Sequence, residues 1–309
     1  MLDAATSIQG RIPAGGSPNA GATRTGGRSC PVFGVSSGGP GFTLIELLVV
    51  VGIVALLVSI LAPTLSTARA QTRRTVCASN LRQLALATHM YGTDARGPLP
   101  PCGWWNPQQD AITYWWGQVT AERVDHKVSP LYRYLRSPLQ EDSVYECPDQ
   151  PWGTYKPQPE HLDNQVTSTY GYNGYYLTPA ATPGWAGSIG KRPWQRLESI
   201  LSPGMVFLFA DTLIDYNNDG QASNNALLDP PLLYKGSMGG KATTSAGRWK
   251  ENLNPTTSFR HRGLTNAAFV DGHVESFALE NGKITSPKYN IGSVGSTNGP
   301  HYVPDWKDW

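Results

Sequence analysis

Three groups of side chains in this sequence have types and spacings that could do chemistry. The first is one carboxylate, Glu46, inside a run that begins Phe42-Thr43-Leu44-Ile45 and stays apolar to Ala62. A charge one turn inside such a run costs about 2 to 4 kcal/mol on membrane-insertion scales, so it needs a cationic partner or an interface to which it can reach. The second is Asp215-Tyr216-Asn217-Asn218-Asp219-Gly220, in which the alternating oxygens of Asp215, Asn217 and Asp219 ahead of a glycine match the first half of a calcium loop. A helix-loop-helix calcium site would close with Glu at position 226, where Ala226 stands, so the plain reading is a polar turn and the sharper one a weak calcium site. The third is His261, Asp271 and His273, which could be drawn as metal ligands or as an acid and base pair. No G-x-S-x-G, H-E-x-x-H or Gly-rich phosphate loop accompanies them, and no catalytic residue is assigned. Their spacing suits a hairpin instead, with Asp271-Gly272 as the turn, Asp271 accepting from a backbone N–H two residues on and His261 as a polar cap on the same sheet.

Four cysteines complete the reactive set: Cys30, Cys77, Cys102 and Cys147. None belongs to a C-x-x-C pair and no His lies at metal-ligand spacing to any of them, so local spacing lends no support to a structural zinc site. Cys102 and Cys147 fall in loop-like segments and are the expected pair if one disulfide forms; unbridged thiols and a bridge to Cys77 are the alternatives.

The elements that must position these residues follow from patterning. The 21 residues from Phe42 to Ala62 contain one ionisable side chain. As a helix they reach about 32 Å, enough for a hydrocarbon core of about 30 Å. An ordinary secretory signal would be shorter and would end in a small-x-small cleavage site, whereas Ala62-Pro63-Thr64 is a poor one. Beyond Pro63 the stripe Cys77, Leu81, Leu84, Thr88 and Tyr91 continues the helical period, so Pro63 is expected to kink the helix rather than end it. Gly92 and Gly97-Pro98 supply the stop. From 98 to 200 turn signals dominate, with one short helix expected within Ser129–Pro138 and with Trp104, Trp105, Trp115 and Trp116 read as packing rather than as a sugar platform. Strands are expected at 205–211 and, as a hairpin about Asp271-Gly272, within 264–279, with a loop-rich insert over 212–258.

Composition limits the function classes. An apolar fraction of 39% with 16% charged residues is globular, and the net charge of +2 comes without any basic block interleaved with aromatics, which excludes a nucleic-acid tract. Abundant Gly, Pro, Tyr and Trp fit a loop-rich exported β domain better than a helical cytosolic enzyme. Residues 1–41 are rich in Gly, Ala, Ser, Thr and Pro and have no apolar period, which reads as a segment without structure.

Gly41-Phe42-Thr43-Leu44-Ile45-Glu46 with the apolar run behind it resembles the processing motif of type IV pilins and of the pseudopilins of type II secretion. His261, nine residues, then Asp271-Gly272 is similar to the H-X9-DG ending of a large group of bacterial prepilin-like proteins, and CASNLRQLALATHMY, YECPD, STYGYN and MVFLFAD resemble intermediate pieces of that group in the same order. The motif departs from the usual pattern in having Pro40 before Gly41 and its nearest basic residue at Arg28. The resemblance implies that a prepilin peptidase facing the cytoplasm cuts after Gly41, that the Phe42 amine is methylated, and that Glu46 of one subunit neutralises the Phe42 amine of the next. It also implies partner subunits that bundle through the N-terminal helix, and a single pass through the inner membrane with the domain periplasmic or on a filament surface.

The expectation is therefore an α+β protein: a long N-terminal helix, its first half transmembrane, packed on a C-terminal antiparallel sheet with long loops. Residues 1–41 form the leader, 42–62 the membrane half of the helix, 63–95 its extramembrane half and 96–309 the β domain. The implied role is a non-enzymatic subunit without a cofactor, calcium at Asp215, Asn217 and Asp219 excepted. The alternative is a membrane-anchored binding or hydrolytic domain that uses the motif for export.

Overall fold

The computed structural model describes residues 41–107, 111–120, 123–150, 156–157, 167–179, 192–216, 219–234, 249–279 and 284–308. The leader, Gly41 apart, lies outside the described residues, as does Asn217. The chain divides into two units, Met1–Ala55 and Leu56–Trp309. It is an α+β protein, with one long helix followed by antiparallel sheets.

The helix, α1 (Leu44–Asp94), has 51 residues and runs through Pro63 without interruption. It starts where the sequence supplies a reciprocal cap: Thr43 Oγ1 accepts the Glu46 N–H at 3.2 Å, while Glu46 Oε2 accepts the Thr43 N–H at 2.8 Å and its hydroxyl at 2.7 Å. Ser or Thr followed three residues later by Glu is the capping box, which satisfies N–H groups that the first helical turn leaves without partners. The segment after it has a mean hydropathy of 3.0 and is long and apolar enough to cross a membrane. Every described side chain from Phe42 to Ala62 is exposed, as an anchor requires.

Farther along α1, burial follows the helical period: Cys77, Asn80, Leu81, Leu84, Ala85, Thr88 and Gly92 are buried, and Tyr91 is half-buried against the edge of the Tyr134 ring. The apolar side chains of this stripe join one core with the central sheet. That sheet comprises β1 (Tyr170–Tyr172), β2 (Phe207–Asp211), β3 (Leu264–Phe269) and β4 (Val274–Ala278), antiparallel throughout in the order β4, β3, β2, β1. β2 is buried along its whole length, which accounts for its unbroken apolar sequence from Phe207 to Ala210. Polar stitches tie α1 to the sheet: Asn266 Nδ2 donates to Arg74 O at 3.2 Å, and the His89 ring contacts Val270 O at 2.6 Å. Gly171 in β1 is required by proximity, because a Cβ there would meet the Leu227 backbone at 2.7 Å.

The strands at 205–211 and 264–279 and the short helix, found at Tyr132–Leu135, lie where the pattern places them. Between 98 and 125, where only turns are expected, the chain forms a four-stranded antiparallel sheet from Gly103–Asn106, Ala111–Tyr114, Gly117–Val119 and Val124–Asp125. The insert at 212–258 likewise contains short strands such as Ala222–Asn224 and Leu232–Tyr234. Strands of two to four residues are too short to show alternation in sequence. Trp115 and Trp116 are buried, and Trp115 Nε1 donates to Ala226 O at 2.9 Å, whereas Trp104 and Trp105 are exposed.

Candidate functional site: the helix start and a buried thiol, histidine and carboxylate cluster

In the first unit the functional atoms are at the start of α1. Glu46 spends Oε2 on the capping box, and both of its bonds come from Thr43. Oε1 carries neither of these bonds. The capping role of Glu46, which its charge in an apolar run does not announce, has its own signal in the sequence, Thr three residues before Glu.

In the second unit four distant segments bring Cys77, Cys147, Asp211 and His261 together, with their candidate ligand atoms all within 4.8 Å of one another and all four residues buried. Cys77 stands on the packed face of α1, where a small polarisable side chain fits against the sheet. Cys147 lies in the segment Tyr145–Asp149, held between helix and sheet because Glu146 O accepts from Asn80 Nδ2 at 2.9 Å and from Tyr170 OH at 3.1 Å. Asp211 ends β2, and its Oδ2 accepts the Asn266 N–H at 2.9 Å. His261 precedes β3 in a tight loop in which its N–H bonds Leu264 O at 3.0 Å.

The contacts inside this group are short and specific. Cys77 Sγ is 3.4 Å from Asp211 Oδ1, Cys147 Sγ is 3.4 Å from His261 Nε2, and His261 Nε2 is 3.2 Å from Asp211 Oδ2. On its other side His261 Nδ1 lies 2.5 Å from Asp149 Oδ2, and Asp149 also receives Arg73 Nε. Arg260 supplies a buried positive charge, with Nε 3.8 Å from Asp211 Oδ1 and Nη2 donating to Thr212 O at 2.5 Å. Burial alone would strip these groups of charge. Against burial, Arg260 and His261 hold the Asp211 carboxyl below the usual carboxylate range. Burial opposes the His261 imidazolium too, yet hydrogen bonds to Asp211 and Cys147 raise it well above an ordinary histidine. The Cys147 thiol is pushed up by burial and pulled below its usual value by the Cys77 and His261 hydrogen bonds and by Arg260. At Cys77 burial, joined by the Cys147 hydrogen bond and the Asp211 charge, outweighs the opposing Asn266 hydrogen bond and raises the thiol well above its usual value.

Two expectations change, the Cys102–Cys147 disulfide and the place of His261 as a polar cap on the sheet. No disulfide joins Cys102 to Cys147: the Cys147 sulfur faces Cys77 and His261, whereas Cys102 is buried near Tyr114 and Tyr172 with its N–H donating to Thr178 Oγ1. His261, Asp271 and His273 do not act as one group, because β3 separates them. His261 enters the buried cluster at one end, while Asp271 and His273 occupy the turn at the other. At that turn Asp271 Oδ1 accepts the His273 N–H at 3.1 Å and lies 2.5 Å from His273 Nδ1, and Gly272 has a φ of +90°, the left-handed region that glycine adopts at little cost. In the acidic loop, Asp215 Oδ1 accepts the Gly220 N–H at 3.0 Å and Oδ2 accepts Ser286 Oγ at 2.6 Å, while Asp219 Oδ1 accepts the Gln221 N–H at 2.8 Å. Both oxygens of Asp215 are thus engaged by protein donors, the geometry of a hydrogen-bonded turn.

The chain thus has a capped apolar helix long enough to cross a membrane, followed by an α+β domain, an arrangement consistent with a single-pass anchor. Residues 40–62 match the prokaryotic N-terminal methylation motif. Residues 66–195 match the family described as Protein of unknown function (DUF1559). That match takes in Cys77 and Cys147 and stops short of Asp211 and His261. No curated protein and no solved structure matches the chain.

Proposed function

We propose that this chain is a non-enzymatic structural subunit of a type II secretion pseudopilus or a type IV pilus-like assembly. In this reading a prepilin peptidase removes the leader after Gly41, Phe42 becomes a methylated N-terminus, and the apolar half of α1 leaves the inner membrane to bundle with the helices of neighbouring subunits. The single observation that carries it is the methylation motif at residues 40–62 on a helix whose large apolar side chains from Leu44 to Leu61 are exposed among the described residues. Glu46 then holds its own helix start with one oxygen and offers the other to the Phe42 amine of the next subunit. The buried cluster supports a structural role, since its four side chains are almost wholly enclosed by the packed chain. Mass spectrometry of the protein from its native membrane tests the proposal: the expected N-terminus is N-methyl-Phe42, and chemical cross-linking is expected to join the chain to subunits with a similar start. A mature N-terminus near residue 64, or a chain that remains a monomer, overturns it.

A further inference from the structure

We propose that Cys77, Cys147, Asp211 and His261 form a tetrahedral zinc site that clamps α1 to the β domain. The donor set is two thiols, an imidazole and a carboxylate, the soft and borderline ligands that zinc takes in closed structural sites. Zinc at about 2.3 Å from sulfur and about 2.0 Å from nitrogen or oxygen sets its ligand atoms about 3.3 to 3.8 Å apart. The observed separations are 3.4 Å for Cys147 Sγ to His261 Nε2, 3.2 Å for His261 Nε2 to Asp211 Oδ2 and 3.7 Å for Cys77 Sγ to the same Oδ2, and all four ligand atoms lie within 4.8 Å of one another, so side-chain shifts of about 1 Å or less bring the set to tetrahedral spacing.

The surroundings have the form of a metal site's outer shell. A carboxylate can only accept, so Asp149 fixes the proton on His261 Nδ1 and directs the Nε2 lone pair into the cluster, as the carboxylate partners of zinc-bound histidines do. Charge also closes. Two thiolates and the Asp211 carboxylate exceed the charge of the ion by one, and the buried Arg260 guanidinium beside Asp211 balances it, while Asp149 is balanced by Arg73. Solvent reaches the neighbourhood through a cleft lined by Thr67, Ala70, Gln71, Arg74, His261 and Leu264. The ligands come from α1, from the segment between helix and sheet, from the end of β2 and from the loop before β3, so one ion ties together four segments that local structure leaves separate.

The full chain, expressed with zinc in the medium, extracted in detergent and purified without chelators, tests this. Elemental analysis is expected to give one zinc per chain, and replacement by cobalt is expected to give the thiolate charge-transfer and visible bands of a tetrahedral site. Cys147→Ser and His261→Gln should each abolish stoichiometric binding, while Cys102→Ser should retain it. Because ligand variants risk failing to fold, Asp149→Asn provides the second readout: it leaves all four ligands in place and is expected to weaken zinc about 10- to 100-fold in competition with a chromophoric chelator. Zinc far below one per chain in folded wild type overturns the proposal, as does a Cys77–Cys147 disulfide in the mapped peptides or zinc retained by His261→Gln.

Discussion

His261 donates from Nδ1 to Asp149 at 2.5 Å and so turns Nε2 toward Cys147, 3.4 Å away. One hydrogen bond thereby settles which nitrogen of a buried imidazole faces two thiols and a carboxylate, and it orients a group that no neighbouring residue in sequence could orient.

Glu46 has two roles that substitution can separate. Gln keeps an acceptor for the Thr43 N–H and so preserves the capping box, but it cannot neutralise an amine. Glu46→Gln and Glu46→Val should both insert in the membrane, Val at least as well as wild type because the costly charge is gone. Both should be depleted in the cross-linked subunit fraction. Recovery of Glu46→Gln at the wild-type level would show that the cap, and not the charge, is what Glu46 contributes.

The stripe on α1 predicts a sharp contrast between neighbours. Leu84 is fully buried in the core shared with the sheet, whereas Leu86 is 53% exposed. Leu84→Ala should destabilise the full chain by about 2 to 5 kcal/mol through lost burial and the cavity left behind. Leu86→Ala should stay within about 0.5 kcal/mol of wild type. Thermal or denaturant melts in detergent measure both.

Asn173 holds the C-terminal segment to the sheet. Fully buried, it donates from Nδ2 to both Phe207 O and Tyr302 O at 2.9 Å. Asn173→Ala would leave two buried carbonyls short of a donor, at about 1 to 3 kcal/mol each. Limited proteolysis should then cut the 298–308 segment faster than in wild type, and an unchanged cleavage rate would remove this role from Asn173.

At the β3–β4 turn, Asp271→Ala removes the bond to the His273 N–H and should cost about 1 kcal/mol. The effect depends on pH. Partial burial alone would raise the Asp271 carboxyl, but the His273 bonds outweigh it and hold it below the ordinary 3.8. A depressed carboxylate stabilises the fold above its unfolded pKa and loses that contribution as pH falls through the folded value. The advantage of wild type over Asp271→Ala should therefore be full at neutral pH and fade below pH about 4. A difference in melting temperature that stays constant down to pH 2 would contradict the assignment.

Much of the chain is legible because its signals are local. The apolar run that makes a membrane-length helix, the stripe from Cys77 to Thr88, the Asp271-Gly272 turn and the motif around Gly41, Phe42 and Glu46 each depend on residues within a few turns of one another, where period and turn chemistry act directly. The short strands of the 103–125 sheet depend on pairing across the sheet, and two to four residues contain too little alternation to announce it. The buried cluster lies at the far limit. Cys77 and Asp211 are 134 residues apart and Cys147 and His261 are 114 apart. Taken singly, Cys77 reads as a helix-face packing residue, Cys147 as one half of a loop disulfide, Asp211 as the end of a strand and His261 as a cap on a hairpin. Their chemistry arises only when the helix lies along β2 and β3 and excludes water, because burial is what makes a thiol, an imidazole and a carboxylate depend on one another for charge, and burial is a property of the packed chain.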